Sequence, residues 1–278
     1  MHLPSVINSI KNIMLSGGLP LREWGSNCPA LLSLLDEEEK VSSSEMKILG
    51  YIYDSSLDSL QLKVKLLNKD ASSKRQILSS LASVFDPLGV YSPIMLQGKL
   101  IIRKLCQQLV DWDQPISPEI SKLWSKLCDS FSEVSQTSFD RRTFNSDAPV
   151  KLFLFADASK EAYGCAMYAV QGDYSSLIFS KTKVSPIKEK TLPTLELLAA
   201  QLALKCFDTI FENSLLDSTK FESITLFVDS QVVLSWILTN KAPKRNTFVN
   251  NRLKEISSLL EGISEKFCSF FSLHSFGL

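Results

Sequence analysis

The sequence predicts a mixed α/β domain, in which an antiparallel strand meander is joined through a helix to a further strand, preceded by a small β-hairpin and a run of helices. Two observations carry this expectation. Hydrophobic spacing alternates over residues 47–66, turns to three-and-four helical spacing over 72–134, and alternates again from Val150. A polar, proline-ended stretch, "RRTFNSDAP" at 141–149, separates the helical run from the second alternating region. With 45% hydrophobic and 22% charged residues over 278 positions, the chain can bury a core, and its length favours two compact units over one.

Residues 1–43 read as an entry segment without its own core, because Gly17, Gly18 and Pro20 interrupt two short helical patterns. In "KILGYIYDSSLDSLQLKVKL", Leu60, Leu62, Val64 and Leu66 alternate with Gln61, Lys63 and Lys65 after a turn-rich "DSSLDS", which predicts a hairpin with one wet face. From Ser72, Ile77, Leu81, Val84 and Phe85 share a helical face, and "DPLG" at 86–89 ends that helix. Further helices begin at Ser92-Pro93 and Ser117-Pro118, with serine as N-cap and proline at the first helical position. The last of these buries Ile120, Leu123, Trp124, Leu127 and Phe131. Hairpin and helices make one module over 44–140.

Beyond the linker, strands are expected over 150–156, 164–170 and 174–179, with Gln171, Gly172 and Asp173 as a hairpin turn. A helix over about 194–211, a fourth strand over 223–228 and helices near 231–239 and 246–260 complete a second domain, 148–264. Residues 265–278 form a divergent tail.

Thirty basic and thirty acidic residues cancel, so affinity for a polyanion has to come from a local patch. Six scattered cysteines without a CxxC, and only two histidines, argue against a zinc site and a disulfide scaffold. No signal-peptide pattern opens the chain, and "LELLAAQLALKCF" is too short to span a bilayer and contains Glu196. An intracellular protein, cytoplasmic or nuclear, with reduced thiols and no membrane partner is expected.

Three carboxylates stand out by position. Asp157 ends the first strand of the second domain in "FADAS", Glu196 lies in the first turn of the long helix in "TLELLAA", and Asp229 ends the fourth strand in "FVDSQ". If those two strands are neighbours, all three acids meet at one edge. Clustered carboxylates repel unless cations neutralise them, and an all-oxygen set suits Mg²⁺ or Mn²⁺. Taken singly, an aspartate at a strand end before small polar residues is also a common turn former or helix cap. Next in the chain is a basic stretch: between Ser230 and Lys254 no acid occurs, while Lys241, Lys244, Arg245, Arg252 and Lys254 do, a pattern that fits phosphate contacts and also a solvated helix end.

The motifs "FADAS…YG", "TLELLAA" and "FVDSQVVLSWI" resemble the RNase H-like domain of BEL/Pao-type retrotransposon polyproteins. Upstream, "GGLPLREWGSN", "KILGYIYD", "SKRQILSSLASVFDPLGVYSPI" and "DWDQPI" resemble the segment that joins the reverse transcriptase palm to that domain. The resemblance spans about residues 15–262. It implies an RNase H-like mixed sheet with flanking helices, preceded by a thumb-like module. It further implies Asp157, Glu196 and Asp229 as ligands of Mg²⁺ or Mn²⁺, an RNA–DNA hybrid as substrate and the remainder of the polyprotein, including the palm, as partner.

Three departures qualify the resemblance. No Tyr-x-Asp-Asp occurs, so no polymerase site is expected. Aspartic peptidase chemistry, suggested by a label often given to this region, needs an Asp-Ser/Thr-Gly loop, and "DASK" and "DSQV" lack the glycine. The family's late metal-site carboxylate has no counterpart, since Glu255, Glu261 and Glu265 read as solvated helix-face acids. The expectation is a C-terminally truncated RNase H-like domain with weakened hydrolysis. The alternative is a nuclease-dead structural or nucleic-acid-binding remnant.

Overall fold

The structure, a computed structural model, describes residues 3–63, 67–145, 148–211, 221–242, 246–267 and 271–275. Two compact units are present: residues 1–65 with 132–142, and 66–131 with 143–278. No described helix is long and apolar enough to cross a membrane.

The first unit begins with helices α1 (Leu3–Ser16) and α2 (Pro29–Leu32) and continues into a four-stranded antiparallel sheet, β1 (Glu45–Ile48), β2 (Tyr51–Asp54), β3 (Ser59–Leu62) and β4 (Ser138–Asp140) in that order. Leu49 and Gly50 link β1 to β2 with φ of 46° and 87°, the doubly left-handed geometry a two-residue hairpin loop requires. Tyr51, Tyr53 and Leu62 point inward with Ile7 and Leu35. The turn after β2 places Asp58 at φ 49°, where its carboxylate accepts from Arg141 at 2.6 and 3.1 Å and from the Tyr53 hydroxyl at 2.9 Å. The Arg141 hydrogen bond is the main reason that the Asp58 carboxyl titrates below its ordinary range.

An acid with a depressed folded value contributes stability above its unfolded value and loses it as pH falls through the folded one. Asp58→Asn keeps the shape and tolerates the left-handed backbone. The amides of β2 and β3 in wild type are therefore expected to exchange faster as pH falls below the ordinary aspartate range. In Asp58→Asn they start less protected and change less. Equal pH dependence in hydrogen exchange corrected for intrinsic rates counts against this coupling.

In the second unit, α3 (Lys74–Ala82), α4 (Ser92–Gln107) and α5 (Pro118–Val134) precede a five-stranded sheet. Its strands are β5 (Val150–Ala158), β6 (Ala162–Gln171), β7 (Tyr174–Val184), β8 (Phe221–Val228) and β9 (Phe271–Ser275), in spatial order β7-β6-β5-β8-β9. β5, β6 and β7 form an antiparallel meander, and β8 and β9 join in parallel. Helices α6 (Leu192–Phe211), α7 (Gln231–Thr239) and α8 (Thr247–Phe267) flank this mixed sheet. Leu152, Leu154, Ala156, Ile224 and Leu226 meet Leu197, Ala200, Leu204 and Phe207 of α6 in the core. α6 is buried on most of its circumference, so the polar Glu196 and Gln201 there stand out.

Three features differ from the sequence expectations. First, the helices up to Phe131 group with the second unit rather than forming a 44–140 module with the hairpin, and only residues 132–142 stay with the hairpin. The "DPLG" loop straps these helices to β7. Asp86 accepts from Val90 and Tyr91 at 3.1 and 2.8 Å, and the Ser180 amide of β7 donates to the Leu88 carbonyl at 2.9 Å. Lys99 adds a bond to the Thr182 carbonyl at 3.0 Å. α3 stops at Ala82, so Val84 and Phe85 lie outside it, and Leu123 is 43% exposed. Second, Ser92 lies inside α4 with Tyr91 at the N-cap. Third, residues 271–275 of the supposed tail are a sheet strand, with His274 opposite Phe227. The five described cysteines are free thiols.

Candidate functional site

Strand pairing fixes the first two acids. β5 and β8 run parallel with Ala156 opposite Val228, so Asp157 and Asp229, the next residue in each chain segment, come together at the C-terminal edge of that pair. Asp157 is still within β5, paired with Gly164 of β6, rather than ending the strand, and Asp229 follows β8. Both are exposed. Glu196 comes from α6, where it is the fifth residue and so in the second turn, not the first. It is only 9% exposed, and its Oε2 has no hydrogen-bond partner.

Burial pushes the Glu196 carboxyl above its ordinary value, the charges of Asp229 and Asp157 push the same way, and a hydrogen bond from Ser230 opposes them. Ser230 has two tasks, since its Oγ also accepts from the Val233 amide at 3.3 Å as the N-cap of α7. Sequence reasoning did not single out Ser230. Its signal was local: a serine directly before an apolar helical run, Val233 and Ile237, is an N-cap pattern.

The donor chemistry of this edge suits a divalent cation, with three carboxylates and one buried oxygen that the protein leaves unmet. The side chains are not drawn to ligating distance, however. Among the described residues no group of three or more His, Cys, Asp or Glu side chains is gathered to hold a metal ion. Asp157 instead turns to its own backbone and accepts from the Ala158 amide at 2.7 Å. A cavity of about 370 Å³ adjoins Asp157, lined by Phe155, Gly164 and Thr182 of the sheet and by Ser92, Pro93 and Leu96 of α4.

The basic stretch is divided. Lys241, just past α7, and Lys254, on α8, are exposed, while Lys244 and Arg245 lie outside the described residues. Arg252 is engaged: its Nη1 donates to Glu255 at 2.5 Å. Glu255 also accepts from Gln201 at 2.6 Å and Lys205 at 2.7 Å, so it ties α8 to α6 and is not the solvated acid that the sequence suggested. The hydrogen bond from Lys205 first, then the charges of Lys205 and Arg252, hold its carboxyl below the usual range.

Comparisons with known proteins agree with this fold. A family model described as a Pao retrotransposon-like RNaseH-like domain matches residues 73–230, more than half the chain. Among solved structures, a foamy viral protease-reverse transcriptase designated dRH, in complex with double-stranded DNA, superposes with a TM-score of 0.53 at 11% identity. That match covers 86% of this chain and 39% of the viral one. The foamy viral protease-reverse transcriptase in complex with an RNA/DNA hybrid gives 0.52 at 12% identity, over 85% of this chain and 30% of the other. This chain thus spans well under half of the viral proteins it resembles. No curated protein matches the sequence.

Proposed function

The chain belongs to the Pao retrotransposon-like RNaseH-like domain family, and from that membership we propose that its second unit cleaves the RNA strand of an RNA–DNA hybrid with a divalent metal held by Asp157, Glu196 and Asp229. The observation that carries the reading is the Glu196 oxygen, buried and unpartnered, with two further carboxylates close enough to raise its carboxyl. The foamy viral proteins of like fold are held on a hybrid and on duplex DNA, which supports a nucleic-acid partner. The remainder of a retrotransposon polyprotein, including a polymerase palm, is the proposed protein partner.

A bound Mg²⁺ or Mn²⁺ would supply an activated water and neutralise the leaving oxygen. The chain's own residues do the rest. The parallel strand ends hold two carboxylates at one edge. Ser230 holds the Glu196 carboxyl by a hydrogen bond, and α6 keeps it away from solvent. Lys241, past the far end of α7, offers a phosphate contact, with Lys244 and Arg245 a few residues on in sequence. Glu255 is committed to Gln201, Lys205 and Arg252 and does not replace a late carboxylate. Turnover is therefore low and is raised by Mn²⁺.

A second reading, a nuclease-dead domain that only binds nucleic acid, draws on the ungathered carboxylates. Cleavage of a labelled hybrid separates the two. The hydrolytic reading expects metal-dependent cleavage that Asp157→Asn abolishes. Cleavage that survives this substitution overturns it, and hybrid binding without any cleavage in Mg²⁺ or Mn²⁺ establishes the second reading.

A further inference from the structure

Two thiols meet between the sheet and α6, and hydrolysis leaves them unused. Cys165 lies on β6, opposite Ala156 of β5 and Lys181 of β7. Ala156 and, two residues further along β6, Met167 belong to the core that α6 closes, so the pleat turns Cys165 to that side, where it packs on the same core. Cys206 faces it from α6 and is only 7% exposed. The two sulfurs are in hydrogen-bond contact. Among the described residues, no other two of the free cysteines make such a contact.

The surroundings suit chemistry at sulfur. Cys165 donates its proton to the Cys206 sulfur, and that bond lowers the Cys206 thiol; burial opposes it, and the charges of Lys181 and Lys183 add to the lowering. A thiol with thiolate character is the one a peroxide oxidises, and a second thiol beside it resolves the product. Access comes through the strand. Cys165 is half-buried and is among the residues lining the cavity of about 370 Å³ beside Asp157, which has room for a molecule as small as hydrogen peroxide. Cys128 of α5 is the contrast: burial pushes it up to about 11, and no second thiol stands on it.

We propose that Cys165 and Cys206 are a site of reversible oxidative modification, at which a hydroperoxide converts the pair to a disulfide that clamps α6 to β6. The Cys206 sulfur attacks one peroxide oxygen, the O–O bond breaks, and the other oxygen leaves as water with the thiol proton. The Cys165 sulfur then displaces the hydroxyl of the resulting sulfenic acid, which leaves as a second water with the second proton. Two thiols are oxidised and one peroxide is reduced, so atoms and electrons balance. In a reducing compartment both thiols stand free, and the clamp forms only when peroxide rises, as transient redox-sensing disulfides do. Its place gives it consequence. The clamp joins the strand paired with Asp157 to the helix that bears Glu196. The inference goes beyond the hydrolytic reading and does not depend on it.

The test exposes the whole chain to hydrogen peroxide, blocks the remaining thiols with an alkylating agent and maps unreduced peptides by mass spectrometry. The expected product is the Cys165 peptide joined to the Cys206 peptide, lighter by two hydrogens, with both free-thiol signals lost and both restored by dithiothreitol. Closing a loop of about 40 residues restricts the unfolded chain, so the oxidised protein should unfold at a higher urea midpoint than the reduced one. Cys165→Ser should lose that rise and leave Cys206 as a sulfenic acid that dimedone labels. Wild type carries the mapping, so a variant that fails to fold does not remove the test. Sulfinic or sulfonic acid at either position without the joined peptide overturns the pair, and so does a disulfide from either residue to another cysteine in its place. Two unmodified thiols after a dose that fully oxidises glutathione overturn it as well.

Discussion

Replacing Gly89 with alanine is expected to destabilise the second unit more than any other single methyl added to a glycine outside the candidate site. Gly89 is buried at φ +71°, and a Cβ there would stand 1.7 Å from the Ser180 carbonyl oxygen and 2.7 Å from its carbon. Neither atom can swing away, because both are backbone of β7. The left-handed backbone costs an L-residue roughly 1–2 kcal/mol, and forced overpacking roughly 1–3 kcal/mol more. Domains have only about 5–15 kcal/mol in hand, so the loss is a large share. Gly172→Ala is the control: it shares a positive φ of 55° but has nothing within 4 Å, so only the backbone cost remains. Urea unfolding followed through Trp124 and Trp236 should show a large drop in midpoint for Gly89→Ala and a small one for Gly172→Ala. Equal midpoints count against the strap.

The same loop shows where the sequence is legible and where it is not. Periodicity is a local property, and it serves well where a single face is buried. The helix after Asp229 appears over 231–239 as its apolar spacing predicts, and the meander strands fall within a few residues of their expected bounds. "DPLG" reads locally as a helix stop, and it is one. Its larger task, carrying α3, α4 and α5 to an edge strand, depends on Ser180, about ninety residues away, which no window contains. The segment "FSLHS" had a strand signal in its alternation of Phe271 and Leu273 with Ser272 and His274, although it departs from the family's wording.

For the candidate site, the meeting of Asp157 and Asp229 was readable because each follows an apolar run and the two runs pair in parallel, although β5 continues through Asp157 to Ala158. The burial of Glu196 and its bond from Ser230 were not. Both depend on which face of α6 meets the sheet edge. Charge alone also misleads at Arg252 and Glu255, since a residue's partners decide whether its charge is available.

Glu196→Gln is expected to raise the melting temperature in metal-free buffer while removing the response to Mg²⁺ and the hydrolysis that depends on it. In wild type the carboxylate is nearly buried, one oxygen is unmet, and two like charges stand nearby. An unsatisfied buried polar group costs about 1–3 kcal/mol, and a charged one more. The amide keeps an oxygen for Ser230 and removes the repulsion. Recovering about 1–2 kcal/mol corresponds to a rise of roughly 2–8 °C for a unit of this size. On the hydrolytic reading a metal ion bound at this edge would relieve the same strain in wild type, and a ligand present at about 100 times its dissociation constant adds about 2.7 kcal/mol. Wild type should therefore gain stability with Mg²⁺ or Mn²⁺ and the variant should not. Altering a group behind a metal ligand already costs about 10–100-fold, so replacing a ligand should lower hybrid cleavage by more than about 100-fold. A variant no more stable than wild type, still stabilised by Mg²⁺ and still cleaving, would make Glu196 an ordinary helix residue and leave the edge without its third ligand.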